Sequence, residues 1–600
     1  MAKVRTIILK KADIILKSNA IFDSVSDVPF KGFVAILGNR ILAVGKDEGD
    51  EKPAGGNVTV GGGEIAGDKS AGDNVGNYGG GDKVAMDKIA GDNVAVDAKS
   101  ISDYIGSDTK VYEMGDKMIM PGFHDSHVHL IFSGMDEIYP TLYDAKSEEE
   151  CCQKLLELIK ENPVPEDEWI VGQGWYQVLW DDSTFPTRAS LDKYFPDRPV
   201  FLLNAEGHSA WVNSKAFEVA DVPKDIEDPY GGYFGRDENG ELTGFLCESA
   251  IAAVERFAYN LTPQKERMLT KLFIEKVVPF GITSINDLMP TFHGNMGSVK
   301  TYSDLDRDGE LTVRIHCAPN LLGDLDEVLD WQKEYTSDKV KVTLLKQFLD
   351  GVASTHTALM GDDYSDAPGN KGIPLANLEA VHKAVQEAHQ KGFSVKLHAC
   401  GDYSVKLALD YFEEAIEKFG KNECRHTIEH LEIVDPKDIP RFGELGVIPS
   451  IQPEHIAEKT FEDSVYPEKL GPERIGWIWP TKSALDSAGV VAIGSDCPVV
   501  PINPFLEIFR AVTRVHDDGR PEGGWLPHEK LTMAEVLKGY TYGSAYGVSR
   551  EHELGTLEAG KFADIAVIDR NLFELDSDWE ILDSKVCLTI MDGKVIYEDL

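Results

Sequence analysis

The sequence predicts an α/β protein: a TIM-type (β/α)8 barrel with a small β-sandwich built from both chain ends and a large insertion after the first barrel strand. Three features of the 600 residues support this fold. Strand-like apolar segments alternate with amphipathic helical segments through the middle of the chain. Strand-like segments without intervening helices occupy both ends. Residues 131–281 separate the first two barrel strands, which is far more than a simple connection needs.

Eight strand-like segments account for the predicted barrel. Helical segments such as LEAVHKAVQEAHQKG and DYSVKLALDYFEEAIEKFG lie between most of them. Eight strand–helix units are what a TIM-type barrel requires, and an open doubly wound sheet is the alternative because the sequence does not show which strands pair. The predicted strands lie in KMIMPGFHDSHVHL, TSINDLM, LTVRIHCA, VTLLKQFLDG, FSVKLHACG, RHTIEHLEIV, VIPSIQP and VVAIGSDCPV.

The segments at the chain ends read as strands of a second, smaller domain. ADIILKSNAIFD and GFVAILGNRILAVG lie near the beginning, and KFADIAVIDRNLF and KVCLTIMDGKVIYEDL near the end, the last with an Asp592-Gly593 hairpin turn. We assign residues 1–60, 99–117 and 545–600 to the β-sandwich, and 118–544 to the barrel. Residues 131–281 form an insertion subdomain with its own strand-like segments, which we expect over the barrel's C-terminal face.

Residues 61–98 differ in composition from the rest of the chain. This segment is rich in Gly, Asp and Asn, and its aspartates recur at steps of five residues, as at Asp82, Asp87, Asp92 and Asp97. The composition favours a flexible insertion that the fold does not need. Its pentad repeat leaves open a stacked-turn, β-solenoid-like flap, and its aspartates leave open a calcium site.

Composition limits the classes of partner. The 102 acidic and 60 basic residues give a formal net charge of −42, which repels nucleic acid and anionic membrane surfaces. The eight cysteines show no metal-ribbon spacing, which is typical of reduced thiols in a cytosol. We see no signal-peptide core and no apolar stretch long enough to span a bilayer. We therefore expect a cytoplasmic protein with a small-molecule substrate; a homodimer is left open.

Polar residues lie where the predicted barrel strands end. His127 and His129 are two apart and therefore point the same way on a strand. Because strand ends converge at the mouth of a TIM barrel, we expect these side chains to meet there. Imidazole and carboxylate groups suit a divalent cation such as Zn²⁺. Taken singly, each residue also has a structural explanation, such as a turn-forming role for Asp496. The set is His127, His129, Lys346, His398, His430 and Asp496.

Several motifs resemble the amidohydrolase superfamily, within it the branch that includes N-substituted formamide deformylase (amidohydrolase family 3). Within the insertion, GHSAWVNSKAFEVA and GGYFGRDENGELTGFLCESA resemble signatures of that branch. The resemblance runs over nearly the whole chain, but the pentad repeat of residues 61–98 has no counterpart in the family pattern. The other motifs are PGFHDSHVHL, VKLHACGD, RHTIEHLE, PSIQPEH, AIGSDCPV and LGTLEAGKFADIAVID.

The resemblance implies one or two zinc ions, or another divalent metal, at the barrel mouth. It implies that His127 and His129 bind one metal and that Asp496 both ligates metal and handles protons. Lys346 matches the lysine that carries a bridging carbamate in binuclear members, which requires a neutral amine. The remaining implied ligands, from strands five and six, are His398 and His430.

The chemistry that follows is hydrolysis of a non-peptide carbon–nitrogen bond, in an amide or N-formyl compound. A metal-activated hydroxide attacks the carbonyl carbon, and Asp496 acts as the proton shuttle. His455 and His208 are candidates to stabilise the oxyanion, and Trp175 and Trp211 are candidate substrate contacts. Alternative hypotheses are a deaminase or a lactone or ester hydrolase on the same metal barrel, and a catalytically silent scaffold.

Overall fold

The computed structural model describes residues 10–47, 100–166, 168–181, 184–291 and 294–600. The pentad-repeat segment 61–98 lies outside the described residues, and so do the three hypotheses made for it: a flexible insertion, a flap and a calcium site. None of the helices in the described ranges combines the length and apolar composition that a membrane span requires.

The centre of the molecule consists of parallel strands that follow one another in chain order. A four-stranded sheet contains Phe123–Val128, Ile282–Leu288, Arg314–Ala318 and Val340–Val342. A five-stranded sheet contains Leu344–Phe348, Ser394–Ala399, Thr427–His430, Ile448–Ile451 and Ala492–Ile493.

The two parallel sheets are connected at both edges. Only Thr343 separates the last strand of the first sheet from the first strand of the second. A parallel bridge between Asn320 and Lys346 reinforces this seam, and another between Val128 and Cys497 joins the opposite edges. Most residues of these strands are buried, as expected for parallel strands covered by helices.

Sequence signals at the ends of the covering helices explain where these helices begin and stop. In Leu378–Lys391, the Asn377 side chain accepts a hydrogen bond from the Ala380 amide, and Gly392 ends the helix at φ +84°. The α-helices are Leu130–Met135, Glu148–Glu161, Arg188–Tyr194, Ser214–Val219, Ala252–Tyr259, Pro263–Val277, Val299–Arg307, Leu325–Glu334, Leu378–Lys391, Asp402–Phe419, Ile439–Leu445, Tyr466–Arg474, Thr481–Ala488, Pro504–Thr513, Met533–Lys538 and Ser544–Gly547.

The two chain ends meet in one sheet of eight strands. Antiparallel pairing of Val567 with Ile119 joins the C-terminal strands to the strand that leads into the barrel. Leu16, Val34 and Leu588 share a buried apolar cluster with these two residues, so both ends fold around one core. The strands are Ile14–Ile21, Phe30–Leu37, Arg40–Lys46, Lys110–Glu113, Met118–Pro121, Ile565–Ile568, Val586–Met591 and Lys594–Glu598.

The long segment after the first barrel strand contains its own five-stranded sheet. Its loops contribute to a cavity of about 610 Å³ whose other walls are strand ends and loops of the central sheets. The strands of this sheet, in spatial order, are Gly232–Arg236, Leu242–Glu248, Ser209–Val212, Val200–Asn204 and Ile170–Trp175; a separate two-stranded pair joins Pro290–Thr291 to Gly294–Asn295.

Candidate metal centre and active site

Backbone pairing of the first and last central strands positions the first three candidate ligands. The Asp496 amide donates to the His127 carbonyl at 2.7 Å, and the His129 amide donates to the Cys497 carbonyl at 3.0 Å. Asp496 itself has φ +67°, a conformation that is costly for a residue with a side chain. The local fold therefore holds the aspartate beside the two histidines at a cost in backbone strain.

Asp496 lies at the centre of four imidazoles. Its Oδ1 is 3.2 Å from Nε2 of both His127 and His129. Its Oδ2 is 3.5 Å from Nε2 of His455 and 3.9 Å from Nδ1 of His430. These five residues come from four different central strands or the segments that follow them, so the predicted convergence of strand ends is observed here.

The hydrogen bonds behind His127 and His129 determine which ring nitrogen faces Asp496. His127 Nδ1 donates to Glu429 Oε2 at 2.6 Å, and His129 Nδ1 donates to the Leu288 carbonyl at 2.9 Å. In a neutral imidazole the other nitrogen, Nε2, then carries a lone pair. Burial lowers the pKa of His127 to about 3, so this ring is neutral. The Nε2 lone pair of His127 therefore points at a carboxylate, which is favourable only with a cation between them.

Glu429 is held by a buried network of its own. Its Oε1 accepts a hydrogen bond from Lys396 Nζ at 2.8 Å, and its Oε2 accepts one from Ser450 Oγ at 2.8 Å. Lys396 also donates to the Ser126 carbonyl at 2.9 Å. This network fixes the ring of His127, a role that outer partners of metal-binding histidines commonly have.

His398 lies next to the imidazoles around Asp496, with its ring centroid 4.4 Å from that of His430. His398 Nδ1 donates to Asp350 Oδ1 at 3.2 Å, which leaves its Nε2 as the acceptor. Asp350 also accepts hydrogen bonds from the backbone amides of Leu359 and Gly401 and is therefore rigidly placed. His430 has φ +73°, a second strained backbone position at this site.

Four buried polar atoms at this centre have no hydrogen-bond partner. They are Lys346 Nζ, His430 Nδ1, His455 Nε2 and Asp496 Oδ1. Buried polar atoms are nearly always paired, so four unpaired ones beside neutral imidazoles indicate a missing ligand. Imidazole nitrogens and a carboxylate are donors that Zn²⁺ and similar divalent ions accept, and the residues present therefore fit such an ion.

Lys346 is completely buried beside this centre. Burial lowers its pKa to about 8, which increases the fraction of neutral amine that carbamate formation requires. Its place in the strand Leu344–Phe348 is the one that the sequence predicted.

A second cluster of histidines shows the opposite pattern. His426 Nε2 donates to His389 Nδ1 at 2.9 Å, and His389 Nε2 donates to the Gly420 carbonyl at 3.0 Å. His426 Nδ1 accepts from the Val395 amide at 3.2 Å. All four ring nitrogens are thus satisfied within the protein, and this cluster has no lone pair left for a metal although Cys424 is nearby.

His208 belongs to the insertion and lines the cavity beside the centre formed around Asp496. Its Nδ1 donates to Glu248 Oε2 at 2.7 Å, and Glu248 Oε1 accepts from Thr357 Oγ1 at 2.7 Å. Burial opposes a charge on His208, but the nearby carboxylates of Glu248, Glu206 and Asp496 outweigh it and raise its pKa to about 9. At neutral pH His208 is therefore a cation with Nε2–H as a hydrogen-bond donor.

The structure contradicts the predicted substrate-binding role of Trp175 and Trp211. Both indoles are fully buried in the apolar core of the insertion, and neither lines the cavity. Their Nε1 atoms donate to the carbonyls of Leu202 and Thr187, at 2.9 and 2.8 Å. The aromatic rings that line the cavity are those of Phe132, Tyr143, Phe280 and Phe348.

The candidate metal centre, together with the family to which the chain is matched, defines the class of protein: a metal-dependent hydrolase. The chain belongs to the amidohydrolase family, whose model matches residues 110–597, and the resemblance inferred from the motifs is confirmed.

Curated relatives span most of this chain. It is 27% identical to Protein LONG AFTER FAR-RED 3 of Arabidopsis thaliana over 597 residues, which cover 98% of this chain and 92% of that protein. It is 25% identical to N-substituted formamide deformylase of Arthrobacter pascens over 505 residues, which cover 82% and 90%.

A solved structure supports the fold. An uncharacterized metal-dependent hydrolase from Pyrococcus horikoshii OT3 is similar with a TM-score of 0.68 and 24% sequence identity, covering 94% of this chain and 98% of that one.

Proposed function

We propose that this protein hydrolyses a non-peptide carbon–nitrogen bond, in an amide or N-formyl group of a small molecule. The observation that carries the proposal is the set of four unpaired buried polar atoms around Asp496. The similarity to N-substituted formamide deformylase, a name that states its substrate class, supports the choice of bond.

The proposed scaffold is a closed TIM-type (β/α)8 barrel with a β-sandwich from the chain ends. The two seams at Thr343 and at the Val128–Cys497 bridge support closure. One or two divalent ions, with zinc the first choice, would be held by the predicted residues. When bound, such an ion lowers the pKa of water and polarises a carbonyl group. The proposed ligands are His127, His129, His398, His430 and Asp496, with Lys346 as the residue available for carboxylation.

Asp496 is the proposed proton shuttle. Burial alone would raise its pKa, but a divalent cation held by the surrounding imidazoles would favour the ionised carboxylate, which is the form that can act as a base. It can accept a proton from the attacking water as the carbon–oxygen bond forms. It can return that proton to the departing nitrogen as the carbon–nitrogen bond breaks.

His208 is the proposed donor to the carbonyl oxygen. As a cation held by Glu248, it can stabilise negative charge that develops on that oxygen in the transition state. His455 is the second candidate, but burial lowers its pKa, so its ring is neutral and a weaker donor.

The test is hydrolysis of a panel by metal-replete protein: N-formyl amines, N-acyl amines, lactones, simple esters and cyclic amidines. We expect turnover of N-formyl or N-acyl amines to exceed that of the lactones, esters and amidines. Metal analysis of the same sample should give one to two equivalents of a divalent ion. Turnover confined to lactones or amidines would show that the enzyme cleaves a different bond from the one proposed. Protein that binds no metal would overturn the proposal as a whole.

A further inference from the structure

Two glutamates line the cavity close to His208 without a lysine or arginine as partner. Glu206 accepts hydrogen bonds from Ser354 Oγ, at 2.7 and 2.8 Å, and from Asn204 Nδ2 at 3.5 Å. The Glu458 carboxylate makes no hydrogen bond or ion pair within the described part of the chain. Both side chains therefore present acceptor oxygens to whatever occupies the cavity.

Burial and nearby carboxylates destabilise the charge on both glutamates. Burial, followed by repulsion from Glu206, Asp463 and Asp517, raises the pKa of Glu458 to about 8. Burial likewise raises the pKa of Glu206, which its hydrogen bond from Ser354 and the charge of His208 only partly offset. A cation between such groups would relieve both burial and repulsion.

A third carboxyl group lines the same cavity independently of the other two. Glu255, on the helix Ala252–Tyr259, is 3% exposed, and its Oε2 has no hydrogen-bond partner. Burial alone raises its pKa to about 7. An unpaired buried carboxyl group is costly, and its position on the cavity wall indicates that a ligand is its partner.

The cavity also offers an aromatic face. Tyr143 lines it and is stacked on Tyr176, with ring centroids 6.3 Å apart. Aromatic faces attract cations, and the Lys459 ammonium already lies 5.6 Å from the Tyr143 ring. The other lysine of the lining, Lys276, is neutralised by Asp136 and Glu137 at 2.9 and 2.8 Å.

We propose that the substrate carries a protonated amino or amidino group, which binds to the acidic lining formed by Glu206, Glu255 and Glu458. Glu206 and Glu458 hold the cation beside the Tyr143 ring, and the apolar walls at Phe132 and Phe348 accommodate the neutral part. This inference rests on the proposed amide hydrolysis and specifies its substrate class.

The experiment compares two formamides of similar length with zinc-loaded enzyme. N-(4-aminobutyl)formamide carries an ammonium group at neutral pH, and N-pentylformamide does not. We expect kcat/KM to be about tenfold or more higher for the charged probe, as one charge-assisted hydrogen bond provides. Glu458→Gln and Glu206→Gln should each reduce this ratio several-fold. Glu157→Gln, at an exposed position of the helix Glu148–Glu161, makes the same charge change and should leave the ratio unchanged.

Titration calorimetry separates the two proposals. If neither formamide is hydrolysed, the proposed bond is wrong, but 1,4-diaminobutane should still bind with higher affinity than 1,4-butanediol and lose affinity in Glu458→Gln. Equal binding of the two compounds would overturn the cation proposal, as would a preference that survives both glutamine variants. If Glu458→Gln does not fold by circular dichroism, Glu206→Gln provides the same comparison.

Discussion

At the scale of single residues, the predicted ligands were those at strand ends, and the groups that orient them were missed. The spacing of His127 and His129 and the position of Asp496 after a strand were sufficient to predict that they meet. The sequence around Glu429 and Asp350 gave no such signal, because a carboxylate within or just after a predicted strand is equally typical of a solvent-exposed position. Only the three-dimensional arrangement shows that they bind imidazole nitrogens.

Asp496→Asn separates metal binding from proton transfer. The amide keeps the size of the side chain but cannot accept a proton at neutral pH. Because the histidines remain, we expect the variant to retain much of its metal, while kcat falls by about 10² to 10⁴. Metal content and kcat measured on one preparation check this, with the exposed Asp108→Asn as control. Near-parent turnover would make His455, whose ring is neutral, the preferred base.

Glu248→Gln tests the charge on His208. In the parent protein the raised pKa keeps His208 cationic up to about pH 9, so kcat/KM should decline as the pH rises through that value. Without the carboxylate the pKa of His208 falls, and the decline should begin at lower pH, with a loss of up to about 10²-fold at pH 8.

The measurement is the pH profile of kcat/KM together with the His208 ring signals in NMR. Glu248→Asp should restore part of the alkaline range, and the exposed Glu238→Gln should leave the profile unchanged. A profile that does not move in Glu248→Gln would show that His208 is not the group that titrates.

At the scale of elements, the strands of the centre were predicted more securely than the residues that bind substrate. Apolar runs ending in His or Asp coincide with the observed parallel strands, because burial on both faces demands such runs. Trp175 and Trp211 were misassigned because an indole serves equally well in a core and in a binding site. Whether a side chain of the insertion's sheet faces the apolar core of the insertion or the cavity depends on tertiary packing, which the local sequence does not specify.

The buried Lys396–Glu429 pair connects two neighbouring strands to His127. Glu429→Gln leaves the Lys396 charge uncompensated, so we expect a loss of about 3 to 5 kcal/mol in the free energy of unfolding. It also releases the His127 ring, which should weaken metal binding by about 10- to 100-fold.

Denaturant unfolding and metal titration give these two quantities. The double variant Lys396→Met/Glu429→Leu removes both charges and should be more stable than Glu429→Gln while binding metal no better. If the double variant recovered full metal affinity, the network would not be what orients His127.

At the scale of the whole molecule, the meeting of the chain ends was predictable from the strand-like segments, and the contact that ties them to the centre was not. Arg314, on a central strand, is fully buried and donates to both carboxylate oxygens of Asp564, at 2.6 and 3.1 Å. An arginine in the run LTVRIHCA gives no indication of a partner 250 residues away. The boundaries assigned to the domains stay predictions, since contacts cross them.

Because this ion pair links the chain-end sheet to the central strands, we expect the two to unfold in a single transition. Asp564→Asn leaves the guanidinium with Asp592, at 3.2 Å, as its remaining acidic partner. Since a buried charge that loses its partner is strongly destabilising, the free energy of unfolding should fall by about 3 kcal/mol, whereas the exposed Asp576→Asn should change it little.

Replacing residues 61–98 by a short Gly/Ser linker should also leave the free energy of unfolding nearly unchanged, because their composition offers little apolar surface to bury. Urea unfolding followed by both fluorescence and circular dichroism measures these free energies and the number of unfolding transitions. Two separate transitions in the parent protein would mean that the chain-end sheet folds independently of the centre.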